Sequence, residues 1–260
     1  MDKSSFGGIV LAAGGILGGL IIEGGSVAQI MQPTAAMIVL GGTIGAVMVQ
    51  FPLPVVITAA KRMVHVFIEP VDHGKAMVEE IVGYAVKARK DGIVALDQEL
   101  PKVSDPLLRK ALMLAVDGTE PEELRKMMEL ELDNMATHEE KIPQVFEAAG
   151  GFAPTIGIIG AVLGLIQVMQ HLDNIDEVGK GIAVAFVATI YGVGASNLLF
   201  LPSAGKLKIR IHHDQVVREM LLDGVISIME GVNPRMLETK LLSYLGEKKT
   251  ESADGDKVEE

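Results

Sequence analysis

The sequence contains no cysteine, which excludes disulfides, iron–sulfur clusters, thiolate zinc sites and cysteine nucleophiles. Tryptophan is also missing, and aromatics make up only 4% of the 260 residues although hydrophobics make up 49%. The apolar mass is therefore aliphatic, joined by 29 glycines and 14 methionines, a composition suited to close helix packing in lipid. A basic surplus is lacking too: the formal net charge of -11 leaves no footprint for a phosphate backbone and argues against nucleic acid as a partner. No G-x-x-x-x-G-K loop and no H-E-x-x-H pair occurs, so nothing supports an enzyme and no cofactor is expected. His212, His213 and Asp214 are adjacent and would diverge around a helix, so no metal site is expected either.

What is present is charge sorted into blocks. The mean hydropathy is +0.36 even though 22% of residues are charged. Four stretches free of Lys, Arg, Asp and Glu approach or exceed the roughly 20 residues that a helix needs to cross a bilayer. They are 4–22, 34–56, 148–171 and 181–202. Buried helices of a large soluble protein are the bland alternative, and four such lengths argue against it. A cleavable leader ending near Ser26, Val27 and Ala28 is another, disfavoured by the length of its apolar core and by the second span that follows.

Lysine and arginine fix the orientation. The loop 23–33 has neither, and 172–180 has only Lys180 beside Asp173, Asp176 and Glu177. Lys61 and Arg62 follow the second span, and Lys206, Lys208 and Arg210 follow the fourth. Both short loops are thus expected outside and both termini in the cytoplasm. The expected fold is an all-α integral membrane protein with four transmembrane helices. A large helical cytoplasmic loop, 61–147, separates spans two and three; helices over 203–245 extend span four, and 246–260 is expected to be disordered. Within the loop, helices are expected over 72–100, 106–118 and 119–147, the last bent at Pro143.

The glycines recur as G-x-x-x-G at Gly14 and Gly18, Gly15 and Gly19, Gly41 and Gly45, and Gly160 and Gly164, which predicts close helix contacts. Between 154 and 169 and between 182 and 201 there is no Asp, Glu, Lys, Arg or His. If the chain conducts ions, a partner must supply the carboxylate. The spans themselves offer Thr155, Gln167, Thr189, Tyr191, Ser196 and Asn197, which would serve equally as interhelical hydrogen bonds in a membrane scaffold.

The stretch from Phe152 through Pro154, Gly157, Gly160, Ala161 and Gly164 resembles the third transmembrane helix of the flagellar stator family MotA/PomA. Gly181 to Gly192, with Thr189, and Phe200-Leu201-Pro202 resemble its fourth helix. Glu230-Gly231-Val232-Asn233-Pro234-Arg235 resembles its C-terminal turn, and Ala88 to Asp97 its cytoplasmic motif. The resemblance implies a homo-oligomer, a pentamer, in the bacterial inner membrane around a MotB-like peptidoglycan-anchored subunit. It puts Arg89 where the family engages the rotor protein FliG, and Asp97 where a Glu is more usual. On one continuous helix the two would share a face about two turns apart. Pro154 and Pro202 match coupling prolines, and Thr189 matches a pore-lining threonine; with Ala161 and Tyr191 it marks the expected ion pathway. Sodium-using members carry Thr where Ala161 stands, so protons are expected as the transported ion and a sodium-driven PomA-type stator is the alternative. A second rival is the ExbB/TolQ-type energising subunit of TonB and Tol systems, which has three spans and a different loop order.

Overall fold

The computed structural model describes residues 2–68 and 73–246, and every regular element among them is helical. Four helices there are long and apolar enough to cross a membrane: Lys3–Ile22, Pro33–Gln50, Pro121–Gln170 and Ile175–Met229. The tail expected to be disordered lies outside the described residues except for Gly246. The chain forms two units, one from residues 2–68 and 138–211, the other from 73–137 and 212–246.

In the first unit, α1 (Lys3–Ile22) begins at Asp2, whose carboxylate accepts the amides of Ser4 and Ser5, satisfying two donors that the first helical turn leaves free. No residue of α1 is buried. After a 3-10 turn at Val27–Ile30, α2 (Pro33–Gln50) starts with proline at its first position. It contains a π-helical stretch, Met37–Gly41, and the buried Thr43 hydroxyl donates to the Val39 carbonyl at 2.6 Å. The second span was expected to reach residue 56, but α2 stops at Gln50. The cause is Phe51, which precedes Pro52 and is pushed out of the helical region to φ -119 and ψ 144. A separate helix α3, Leu53–His65, follows.

Spans three and four belong to far longer helices, α6 (Pro121–Gln170) and α7 (Ile175–Met229), and both carry residues of both units. Pro143 does not interrupt α6. Ile142, Val145 and Phe146 of α6 and Ala204 and Leu207 of α7 are buried with Val47, Ala59 and Val66. Residues 138–147 and 203–211 therefore fold with the spans, although they lie beyond the uncharged stretches.

The second unit is a water-type core. Helix α4 (Gly74–Asp91) ends at Gly92, whose φ of +83 only glycine adopts without strain. Ile93–Lys102 then forms 3-10 turns, and α5 (Pro106–Val116) is capped by Asp105. The C-terminal helix α8 (Pro234–Tyr244) is capped by Asn233. Their apolar faces meet those of α6 and α7 over Ile81, Leu96, Leu108, Leu112, Leu124, Met220, Ile226 and Leu241, each fully buried. Asp223, 8% exposed among them, is balanced by Lys240 at 2.6 Å and Arg125 at 3.6 Å.

Candidate functional site

Small residues hold spans three and four together. A Cβ added at Gly164 would lie 2.7 Å from the Gly181 carbonyl oxygen and 2.8 Å from the Ala185 nitrogen. One at Gly157 would lie 2.9 Å from the Ala188 oxygen, and one at Gly192 would collide with the Ala153 oxygen. One at Gly160 would lie 2.7 Å from the Ala188 Cβ. Hence the two backbones touch along the seam, and only glycine and alanine fit there. Of the four predicted G-x-x-x-G pairs, Gly160 and Gly164 make this contact. A Cβ added at Gly14, Gly15, Gly18, Gly19, Gly41 or Gly45 would meet nothing within 4 Å among the described residues beyond its own helix backbone.

Along this pair the residues expected in an ion pathway separate. Thr189 is half-buried and its hydroxyl donates to the Ala185 carbonyl at 3.3 Å, leaving the oxygen lone pairs free to accept. Thr155 is exposed and donates to the Phe152 carbonyl at 2.8 Å in the same manner. Ala161, half-buried, brings no polar side-chain atom. Tyr191 points elsewhere: its hydroxyl donates to the Ile30 carbonyl at 2.5 Å and accepts the Gln32 amide at 3.3 Å. It ties span four to the loop before α2, so its hydroxyl is already occupied.

Neither of the prolines expected to act in coupling ends its helix. Pro154 lies inside α6, and Pro202 directly follows Leu201, where a π-helical stretch of α7, Ala195–Phe200, gives way to α-helix. The buried Ser196 hydroxyl of that stretch donates to the Gly150 carbonyl at 2.7 Å. Pro202 is exposed and lines a cleft of about 330 Å³ with Ser5, Gly8, Phe67, Asn197 and Lys206.

Sequence reasoning treated Lys206 and Arg210 only as topology markers. Lys206 pairs with Asp2 and donates to the Ser5 hydroxyl at 2.5 Å, while Arg210 donates to the Ile68 carbonyl at 2.8 Å. The Lys206 ammonium, followed by the Ser4 hydroxyl, holds the Asp2 carboxyl well below the usual carboxylate range. These partners stand some two hundred residues apart in the chain, and no local pattern signals them.

Arg89 and Asp97 are both exposed in the second unit. They do not share one helical face as expected, because α4 stops at Asp91 and Asp97 lies in the 3-10 segment. That segment is fastened to α4 by Lys87, whose ammonium meets Glu99 at 2.6 Å; Lys87, then Lys102, lowers the Glu99 carboxyl from its ordinary value. Glu80 of α4 grips the turn before α5, accepting the Ser104 hydroxyl at 2.5 Å and the Ser104 amide at 3.1 Å. Burial pushes the Glu80 carboxyl up, but the bonds from Ser104 and Tyr84 outweigh it and the net shift is downward.

Residues 99–220 match the model of the MotA/TolQ/ExbB proton channel family, and residues 6–90 match the motility protein A N-terminal model. Motility protein A of Bacillus subtilis is 36% identical over 272 residues, covering 100% of this chain and 99% of that protein. Among solved structures, C. jejuni MotAB superposes with a TM-score of 0.89 at 30% identity, covering 96% of this chain and 98% of that one. The flagellar MotAB stator complex from Bacillus subtilis gives 0.85 at 36% identity, covering 94% and 96%.

Proposed function

The chain belongs to the motility protein A family within the MotA/TolQ/ExbB proton channels, and from that premise we propose how it works as the ion-conducting stator subunit of a bacterial flagellar motor. It is a multi-pass protein of the inner membrane and not an enzyme. Its partner is a MotB-like subunit.

One observation carries the mechanism: spans three and four form a tight seam of glycine and alanine with no titratable side chain between 154 and 169 or between 182 and 201. A proton crossing beside them needs a carboxylate, which the partner's single span supplies. Thr189 offers one acceptor oxygen beside that group. A unit charge falling through 100 mV releases about 2.3 kcal/mol, enough to bias one conformational step of a ring of subunits around the partner. The ring is a pentamer around two partner chains, both termini of this chain are cytoplasmic, and Arg89 and Asp97 meet the rotor protein FliG through charge. The ion is the proton, because Ala161 has no oxygen with which to replace sodium's hydration shell.

The deciding measurement is swimming speed of cells powered by this chain and its MotB-like partner, with sodium replaced by potassium at fixed pH and membrane potential. Unchanged speed is expected. A halt that sodium reverses would overturn the choice of ion, and absence of rotation under every condition would overturn the stator reading. Arg89→Glu is expected to reduce motility at unchanged assembly with the partner; wild-type swimming would remove Arg89 from the rotor contact.

A further inference from the structure

Proline has no amide hydrogen, so inside a helix the carbonyl four residues earlier loses its donor. In α6 the proline is Pro154 and the carbonyl is that of Gly150, which is buried. A buried acceptor without a donor is costly, and lipid offers no water to mend it. The donor comes from the neighbouring span: the Ser196 hydroxyl, 2% exposed, reaches the Gly150 oxygen at 2.7 Å.

The approach is tight. A Cβ at residue 150 would sit 2.6 Å from Leu201 Cδ2 and 3.6 Å from Ser196 Oγ, so Gly150 leaves just enough room for the two helices to meet. Ser196 belongs to the π-helical stretch Ala195–Phe200, separated from Pro202 only by Leu201. The single bond thus joins the carbonyl that one proline frees to the irregular turn that leads into the other.

We propose that Ser196 is a positioning residue of the motor: its hydroxyl stands in for the amide Pro154 lacks and latches the weak point of span three to the π-helical turn of span four. A bend at either proline then strains or releases the same hydrogen bond, and the two helices move together. This rests on the stator reading above and on the family likeness that marks Pro154 and Pro202 as coupling prolines, and it adds the residue that links them.

The test compares Ser196→Ala, Ser196→Thr, Pro154→Ala and the Ser196→Ala/Pro154→Ala double variant, each assembled with the MotB-like partner. Two quantities are read: rotation speed per assembled stator, and the melting temperature of the purified complex. Ser196→Ala is expected to cut rotation per stator to a minor fraction of wild type and to lower the melting temperature by roughly 3 °C. Ser196→Thr, which keeps the hydroxyl, is expected to restore rotation. In the Pro154→Ala background residue 154 regains its amide, so adding Ser196→Ala should lower the melting temperature little further. Wild-type rotation per stator in Ser196→Ala would overturn the proposal, and so would an equal melting loss in both backgrounds. Should the wild-type chain fail to drive rotation at all, the stator reading falls, while the melting cycle still decides whether Ser196 replaces the missing amide.

Discussion

The seam between spans three and four and the core of the second unit are held by opposite means. At the seam the contact residues are Gly157, Gly160, Gly164, Gly181, Ala185, Ala188 and Gly192, and backbone meets backbone. In the second unit Leu96, Leu108, Leu112, Leu124 and Leu241 are buried to 1% exposure or less, and side chain meets side chain. Water drives the second arrangement, since every buried methylene leaves an aqueous surface. Lipid is as apolar as leucine and supplies no such drive, so the spans gain from close approach instead. One substitution rule cannot serve both: the core is damaged by removing atoms and the seam by adding them. Span one differs from both, because a Cβ added at any of its paired glycines would meet nothing within 4 Å among the described residues.

Four experiments break or sharpen this contrast. The largest effect is expected from Leu108→Ala, which empties a fully buried site and should destabilise the protein by about 2–5 kcal/mol, read as a lower thermal midpoint in detergent. Little change there would mean that the second unit is not held by its aliphatic core. Gly164→Ala should cost about 1–3 kcal/mol, because the added methyl meets the Gly181 oxygen and the Ala185 nitrogen, which are backbone and cannot swing aside. A gain in stability would show that the seam has slack. A smaller, pH-dependent effect belongs to Glu80. Its carboxyl is held below its ordinary value of 4.5, so its stabilisation is present above that value and fades as pH falls through the lower folded value. Glu80→Gln should therefore weaken the protein at neutral pH and flatten the loss of stability below pH 4.5; parallel acid curves for the two proteins would contradict this. The smallest loss is expected from Gly18→Ala in span one, whose added methyl meets nothing within 4 Å: the isolated chain should lose no stability and gain at most the roughly 0.5–1 kcal/mol that alanine brings over glycine inside a helix.

Much of the fold was legible because bilayer thickness imposes a length that composition displays directly: four uncharged stretches correspond to four apolar helices. The early end of α2 was legible as well, in Pro52 after Phe51, but the uncharged run continuing to residue 60 concealed it. Which glycines touch a neighbour was not legible, since Gly14 and Gly164 sit in the same local pattern and differ only in what the fold places opposite them. Arg89 and Asp97 were found by family likeness, while their separation depends on Gly92 taking positive φ, a torsion that glycine permits without requiring. Ser196 was visible as a polar residue, and Pro154 implied a carbonyl without its donor four residues before it. Nothing local joins the two, which lie 46 positions from Gly150 and four from it respectively.

The π-helical stretch at Ala195–Phe200 has a consequence for heredity. Such a turn is a helix that has absorbed one extra residue without shifting the faces on either side. Removing one residue between 197 and 200, which spares Ser196, would restore ordinary winding and leave Gly192 and Leu207 facing their present neighbours, whereas removal a turn away would rotate one buried face out of place by about 100°. Single-residue gaps among descendants of this sequence should therefore collect at that turn, and the helix on either side should keep its length.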